Sequence, residues 1–294
     1  MNLNRPESNG FLPSFFVVGP PRTGTTWIYE ALRKHANLPA PTKETRFFDL
    51  HFHRGLAWYR AHFPSTNSGR LIGEVAPTYF ASREACARIA RHVPYARVVC
   101  IFRDPVERVL SLYRVKRAYG MIPWNFEEAL FRDPELLNTG KYASTLLRWR
   151  NAFGSDRVLA TFYDDLCADP QRYVNTLAEF VGIPPFHLSP SERESVHASD
   201  RMTHPRSYLR TREATRIADW CKARRLDKLV AAIRNSPLRR LFLGGGTPFT
   251  QVAQDLAAQV YELFRPEIDH LEQLVGRDLS SWKGIASVAQ IEAA

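Results

Sequence analysis

The residues best suited to chemistry form a glycine-bounded loop near the start of the chain, residues 19–26, with the sequence GPPRTGTT. Residues 15–18 before it are apolar and predict a buried strand, and a helical pattern follows from Trp27. The length and glycine spacing are those of a phosphate-binding P-loop, except that Thr25 stands where that pattern places lysine. Backbone N–H groups and the helix dipole converge at such a loop, which therefore favours a phosphate-like anion.

Side chains of the same loop add further donors for an anion. Arg22 supplies a forked positive charge, and Thr25 and Thr26 supply hydroxyl groups. Gly24 lets a ligand approach the backbone closely because it has no side chain. A tight strand-to-helix turn without a ligand is the alternative interpretation, and the combination of strand, loop and helix favours anion binding over it.

A second cluster of charged residues follows another predicted buried strand, residues 97–102. Arg103 leaves the carboxyl end of this strand, where open α/β sheets bind ligands. Ser111 lies about two helical turns further along, so its hydroxyl can face the same anion as Arg103. Two such donors suit a second phosphate, while a surface salt-bridge cluster among residues 103–108 is the alternative.

The elements that must position these groups alternate along the chain. Further strands are predicted at 70–74 and 157–162, and helices at 82–92, 106–118, 140–153, 171–182 and roughly 250–275. This alternation predicts an α/β fold, a single P-loop-like domain with a central parallel sheet flanked by helices on both faces. The domain is predicted to span 14–284 with a helical basic insertion at 206–248, between a flexible N-terminus at 1–13 and a C-terminal tail at 285–294.

Composition and charge narrow the class of protein and its partners. The net charge of +10 in 294 residues predicts an anionic partner, although a basic surface without a specific role is the alternative. A basic helix is predicted over 213–240, and its charged residues have three alternative roles: a solvated face, recruitment of the acceptor or peripheral contact with a membrane surface. No apolar run approaches the ~20 residues that cross a bilayer, and the N-terminus has no signal-peptide core. Four widely spaced cysteines predict free thiols and a cytoplasmic protein.

The loop GPPRTGTT and the segment RDPVERVLS at 103–111 together resemble the PAPS-dependent sulfotransferase family, and the similarity extends over about residues 14–283. It includes the stretches at 140–153, 158–170 and 275–282. The resemblance implies that PAPS is the co-substrate and PAP the product, with Arg103 and Ser111 on the 3′-phosphate. It places the 5′-phosphosulfate on Pro21, Arg22, Thr23, Gly24, Thr25, Thr26 and Trp27. A looser match at 196–205 implies that Ser199 and Arg201 reach the nucleotide.

Three further segments resemble the Golgi-type glycan sulfotransferases, especially those acting on heparan sulfate, and their bacterial relatives. They are KETRFFD (43–49), GLAWYRAHFP (55–64) and GEVAPTYF (73–80). The resemblance implies that Glu44 is the catalytic base and that Lys43, Arg46 and Asp49 line the acceptor cleft. This chain departs from the pattern at Val75, where those enzymes carry a lysine, and Lys43 or Arg22 are the alternatives for supplying that charge.

The predicted reaction is transfer of the sulfonyl group from PAPS to a hydroxyl or amine of an acceptor, most simply a carbohydrate. Glu44 takes the acceptor proton, because a hydroxyl is a poor nucleophile while protonated, and Arg22 stabilises charge on the transferred group. No metal and no nucleic-acid partner are expected. Alternatives are a small-molecule or natural-product hydroxyl, a protein tyrosine, a P-loop kinase and a non-catalytic anion-binding module.

Overall fold

A computed structural model describes residues 12–64, 69–194, 203–223, 245–249 and 252–283. Its central sheet is four-stranded and parallel, in the order β2-β1-β3-β4. The strands are β1 (Phe15–Val17), β2 (Gly73–Val75), β3 (Arg97–Phe102) and β4 (Val158–Phe162). Phe16 of β1 lies opposite Glu74 of β2 on one side and Val98 of β3 on the other.

Helices fill the connections between the strands. In chain order they are α1 (Thr25–Leu32), α2 (Gly55–Arg60), α3 (Arg83–His92), α4 (Pro105–Ala118), α5 (Phe126–Arg132), α6 (Pro134–Asn138), α7 (Tyr142–Phe153), α8 (Tyr163–Ala168), α9 (Pro170–Val181), α10 (Pro190–Glu194), α11 (Tyr208–Ala223) and α12 (Gln254–Val275). A π-helical turn covers Phe47–His51. None of the helices in the described ranges combines the length and apolar character that crossing a bilayer requires.

Both faces of the sheet are covered, as the alternation of strands and helices predicts. Successive strand residues point to opposite faces, so Phe16 and Val98 enter one buried cluster while Val17 and Val99 enter the other. All four side chains are fully buried. Burial on both faces explains why the strands are continuous apolar runs in the sequence, and the predicted α/β architecture is confirmed.

The strand order creates a crevice where the predicted anion-binding groups emerge. The chain leaves β1 toward β2 on one side of it, whereas it leaves β3 toward β4 on the other side. Connections that depart in opposite directions from neighbouring strands leave a gap at the carboxyl ends of those strands. The loop 19–26 follows β1 and Arg103 follows β3, so the topology brings both to this gap.

The segments that the sequence predicts to be irregular differ most from the structure. Within 186–208 the chain forms α10 and a strand, β5 (Thr203–Pro205), which pairs antiparallel with β6 (Gly245–Pro248). A Cβ at Gly246 would lie 2.6 Å from the carbonyl oxygen of His204, so the glycine run permits the close pairing of two strands. Ser199, Arg201 and the basic segment beyond Ala223 lie outside the described residues.

Candidate active site

The loop 19–26 is shaped by two residues with left-handed backbone. Arg22 has φ +76° and Gly24 has φ +88°. A Cβ at Gly24 would lie 2.9 Å from Leu166 Cδ2, so both the conformation and the space require glycine there. The hydroxyl of Thr23, which is fully buried, donates to the carbonyl of Pro20 at 2.8 Å. Thr23 therefore stabilises the loop through its side chain, and only its backbone remains to face a ligand.

Helix α1 begins directly after Gly24, with its first N–H groups at the loop. Thr25 is buried and Thr26 is exposed at this end of the helix. Half-exposed Pro21 precedes the turn. Trp27 packs in the core, and its indole N–H donates to the carbonyl of Glu192 at 2.7 Å, which fixes α10 beside the loop.

The two predicted phosphate-binding elements are in direct contact. Arg22 Nε donates a hydrogen bond to Ser111 Oγ at 2.9 Å, joining the loop after β1 to helix α4. Asp104 caps α4 by accepting from the backbone N–H groups of Val106 and Glu107, at 2.8 and 3.1 Å. The cap fixes the direction of the helix that carries Ser111.

Arg103 is held where the chain turns from β3 into α4. Its guanidinium pairs with Glu107 at 2.9 Å and lies 4.7 Å from the ring centre of Tyr163. The hydroxyl of Tyr142 donates to the backbone carbonyl of Arg103 at 2.9 Å. Arg108 is fully buried and bonded within the core, so it takes no part in the alternative surface salt-bridge cluster over 103–108, of which the pair Arg103–Glu107 is present.

The segment with the predicted base reaches the same loop. Lys43 Nζ lies 3.4 Å from both Thr25 Oγ1 and Thr26 Oγ1, and 3.3 Å from Glu44 Oε1. The side chain of Glu44 is 28% exposed, so its carboxylate is open to an incoming molecule. The structure therefore brings the predicted base and an ammonium group to the start of α1.

A fully buried carboxylate, Glu74 of β2, anchors this segment. Its Oε1 accepts hydrogen bonds from the backbone N–H and the hydroxyl of Thr45, at 3.1 and 2.7 Å. Its Oε2 accepts from Tyr59 at 2.6 Å, and the Tyr79 hydroxyl lies 3.2 and 3.3 Å from the two oxygens. Thr45 follows Glu44 directly, so these bonds fix the position of the base.

Sequence reasoning missed Glu74, although its surroundings carried a signal. An acid inside an apolar strand must be buried when the sheet is covered on both faces, and a buried acid needs hydrogen-bond partners. Burial raises the pKa of Glu74 to about 7, while the donors Tyr59, Thr45 and Tyr79 act in the opposite direction. The carboxyl group is therefore poised to titrate near neutral pH.

The predicted acceptor residues Arg46 and Asp49 pair with each other beside Glu44. Arg46 has φ +54° and opens the π-helical turn, and its guanidinium contacts Asp49 at 2.8 Å. Phe47 and the ring of Tyr59 stack with centres 4.5 Å apart beneath this turn. Phe47 and Phe48, both fully buried, thus anchor in the core a strained turn that presents a charged pair next to the base.

Val75 lies fully buried in the cluster between the sheet and α1, so β2 presents no cation at that position. Within the described residues, no group of three or more His, Cys, Asp or Glu side chains is arranged to hold a metal ion. The expectation of a reaction without a metal stays a prediction.

Comparisons with known proteins agree on one family. A family model described as "Sulfotransferase domain" matches residues 12–225. Mouse heparan sulfate glucosamine 3-O-sulfotransferase 3A1 is 32% identical over 186 residues, which cover 60% of this chain and 47% of that protein. Mouse bifunctional heparan sulfate N-deacetylase/N-sulfotransferase 4 is 32% identical over 212 residues, covering 64% and 24%. This chain therefore spans less than half the length of either relative.

A solved structure shows the same fold. The sulfotransferase from Alicyclobacillus acidocaldarius matches with a TM-score of 0.65 and 20% identity, over 93% of this chain and 99% of that chain. At this identity the likeness concerns the path of the backbone.

The buried carboxyl of Glu74 predicts a pH-dependent stability difference between the wild type and Glu74→Gln. Between pH 4.5 and about 7 the unfolded chain ionises Glu74, whereas the folded protein holds it neutral. The wild type should therefore lose about 3 kcal/mol of unfolding free energy relative to Glu74→Gln as pH rises through this window. Urea unfolding at a series of pH values measures the difference, and a difference independent of pH would contradict the assignment.

Proposed function

The chain belongs to the sulfotransferase domain family, and from that membership we propose that it transfers the sulfonyl group of PAPS to a hydroxyl or amine group of an acceptor. PAP is then the second product. A carbohydrate is the favoured acceptor, because two relatives at 32% identity are named for reactions on heparan sulfate. The three segments that resemble glycan sulfotransferases surround Glu44 and support the same choice.

The hydrogen bond between Arg22 Nε and Ser111 Oγ, at 2.9 Å, is the observation that carries this proposal. It joins the anion-binding loop to the element predicted for a second phosphate, which supports one nucleotide in contact with both. A nucleotide with phosphates at both its 5′ and 3′ positions needs two such sites a few ångströms apart. Arg103, held by Glu107 and Tyr163 at the end of β3, completes the second site.

The chemistry assigned to the residues is an in-line displacement at sulfur. The acceptor oxygen or nitrogen forms a bond to sulfur, its proton passes to the Glu44 carboxylate, and the bond from sulfur to the phosphate oxygen breaks. The electron pair of that bond stays on the 5′-phosphate. Arg22 and the N–H groups of the loop stabilise the negative charge on the sulfonyl and phosphate oxygens, where fixed donors act most strongly.

Arg46 and Asp49 are proposed to contact the acceptor, because they lie on the segment that carries the base. The charged pair of Arg46 and Asp49 offers both donors and acceptors, which suits the hydroxyl groups of a sugar. A natural-product hydroxyl and a protein tyrosine remain the alternative acceptors. The cytoplasmic location and membrane contact through residues 213–240 stay predictions from the sequence.

PAP should bind and stabilise the protein, because it retains both phosphates that the site is proposed to hold. At a concentration about 100-fold above its Kd, PAP should raise the unfolding midpoint by roughly 5–10 °C. Thermal shift with PAP, AMP and ATP with Mg²⁺ in parallel measures this. A larger shift with ATP than with PAP would favour the kinase alternative, and no shift with PAP would contradict the proposal.

Replacing the base, Glu44→Gln, should leave PAP affinity unchanged and lower kcat by ~10²-fold or more, because the amide cannot accept the acceptor proton. Radiolabelled PAPS with a pool of oligosaccharide acceptors measures transfer, and calorimetry measures PAP affinity. Glu179→Gln is a matched control, since Glu179 is an exposed acid of α9. Full activity of Glu44→Gln would remove Glu44 from the base role.

A further inference from the structure

The anion-binding loop has no lysine of its own at the position where P-loops carry one. Thr25 occupies that position as the first residue of α1 and is buried. In P-loops the lysine reaches the phosphate groups at the site of reaction and neutralises their charge. Arg22 is the loop's own cation, and its Nε is bonded to Ser111 Oγ, so a second positive charge at the start of α1 would add to it.

Lys43 brings an ammonium group to this place from a different segment of the chain. Its Nζ lies 3.4 Å from Thr25 Oγ1 and 3.4 Å from Thr26 Oγ1, at the residues where the P-loop pattern ends. Only 18% of the lysine side chain is exposed. The loop between α1 and β2 thus places an ammonium group at the start of α1, in addition to Arg22 of the loop after β1.

The position of Lys43 is fixed by its neighbours in the chain. Lys43 and Glu44 immediately precede Thr45, which is bound to the buried Glu74 carboxylate through both its backbone and its side chain. Because Glu74 belongs to β2 and β2 pairs with β1, the backbone next to Lys43 is held relative to the loop by the sheet itself.

The electrostatic surroundings of Lys43 favour a bound anion. Burial lowers the pKa of the ammonium, and Arg22 lowers it further, while Glu44 and Glu30 raise it. The group also lies at the N-terminus of α1, where the helix dipole is unfavourable for a cation. Its contacts with the two threonines are longer than the 2.7–2.9 Å of strong charge-assisted bonds, so phosphate or sulfonyl oxygens would be better acceptors.

We propose that Lys43 is a catalytic residue of the transfer, whose ammonium donates hydrogen bonds to the sulfonyl group and to the departing 5′-phosphate. This assignment rests on the proposed function. As the bond from sulfur to the phosphate oxygen breaks, its electron pair stays on that oxygen, next to the ammonium. Lys43 keeps its proton throughout, and the acceptor proton goes to Glu44, so the neighbouring residues divide charge stabilisation and proton removal between them.

The test compares kcat and PAP affinity for Lys43→Met, Lys43→Arg and Lys141→Met. Lys43→Met should lower kcat by ~10²-fold, the usual effect of removing one donor to developing charge, and weaken PAP binding by much less. Lys43→Arg should recover at least about tenfold of that loss by restoring the charge. Lys141, an exposed lysine at the start of α7, is the matched control and should have wild-type kcat.

Lys43→Met with kcat within threefold of the wild type, or with losses in kcat and PAP affinity of equal size, would overturn the catalytic assignment while leaving the proposed function intact. A wild-type protein that transfers no sulfonyl group from PAPS would overturn both. A second readout needs no turnover: the titration of Lys43, followed by NMR of ε-carbon-labelled lysine, should move to higher pH when PAP binds. An unchanged titration in saturating PAP would contradict contact with the 5′-phosphate.

Discussion

The buried carboxylate of Glu74 is the interaction on which the geometry of the site depends. Burying a carboxyl group inside a sheet is costly unless donors surround it, and Thr45, Tyr59 and Tyr79 do so. These bonds connect β2 to two other parts of the site. One is the segment that carries Lys43 and Glu44, and the other is the stacked rings of Tyr59 and Phe47 under the π-helical turn. The same group that would destabilise an ordinary strand here fixes the loop of Thr45 to the sheet.

The topology of the sheet explains how the rest of the site assembles. The connections of β1 and β3 diverge at their carboxyl ends, so the loop 19–26 and Arg103 meet at one crevice. The connection from α1 to β2 crosses the same end and brings Lys43 and Glu44 to the first turn of α1. The loop 19–26 and the segment of Lys43 and Glu44 therefore come from separate parts of the chain and are positioned by a single sheet.

The sequence predicts the parts of this site that depend on local pattern. The loop after an apolar strand, the sheet architecture and the helical spacing of Arg103 and Ser111 all follow from neighbours in the chain. The bonds of Glu74 to Thr45 and the reach of Lys43 to Thr25 join residues distant in sequence, so no periodicity reveals them. Strands β5 and β6 were missed for a related reason, since their polar and glycine-rich residues resemble loops until they pair.

A crystal structure of the protein with PAP is the most direct test of the central claim. The claim is that the loop 19–26 and the element of Arg103 and Ser111 hold one nucleotide, and that the segment anchored by Glu74 brings Lys43 to its 5′-phosphate. The 5′-phosphate should lie in the loop 19–26 within hydrogen-bonding distance of Lys43 Nζ, and the 3′-phosphate should contact Arg103 and Ser111. The bonds between Glu74 and Thr45 should be unchanged. A nucleotide bound away from the loop, or with Lys43 turned out of contact with it, would contradict the account.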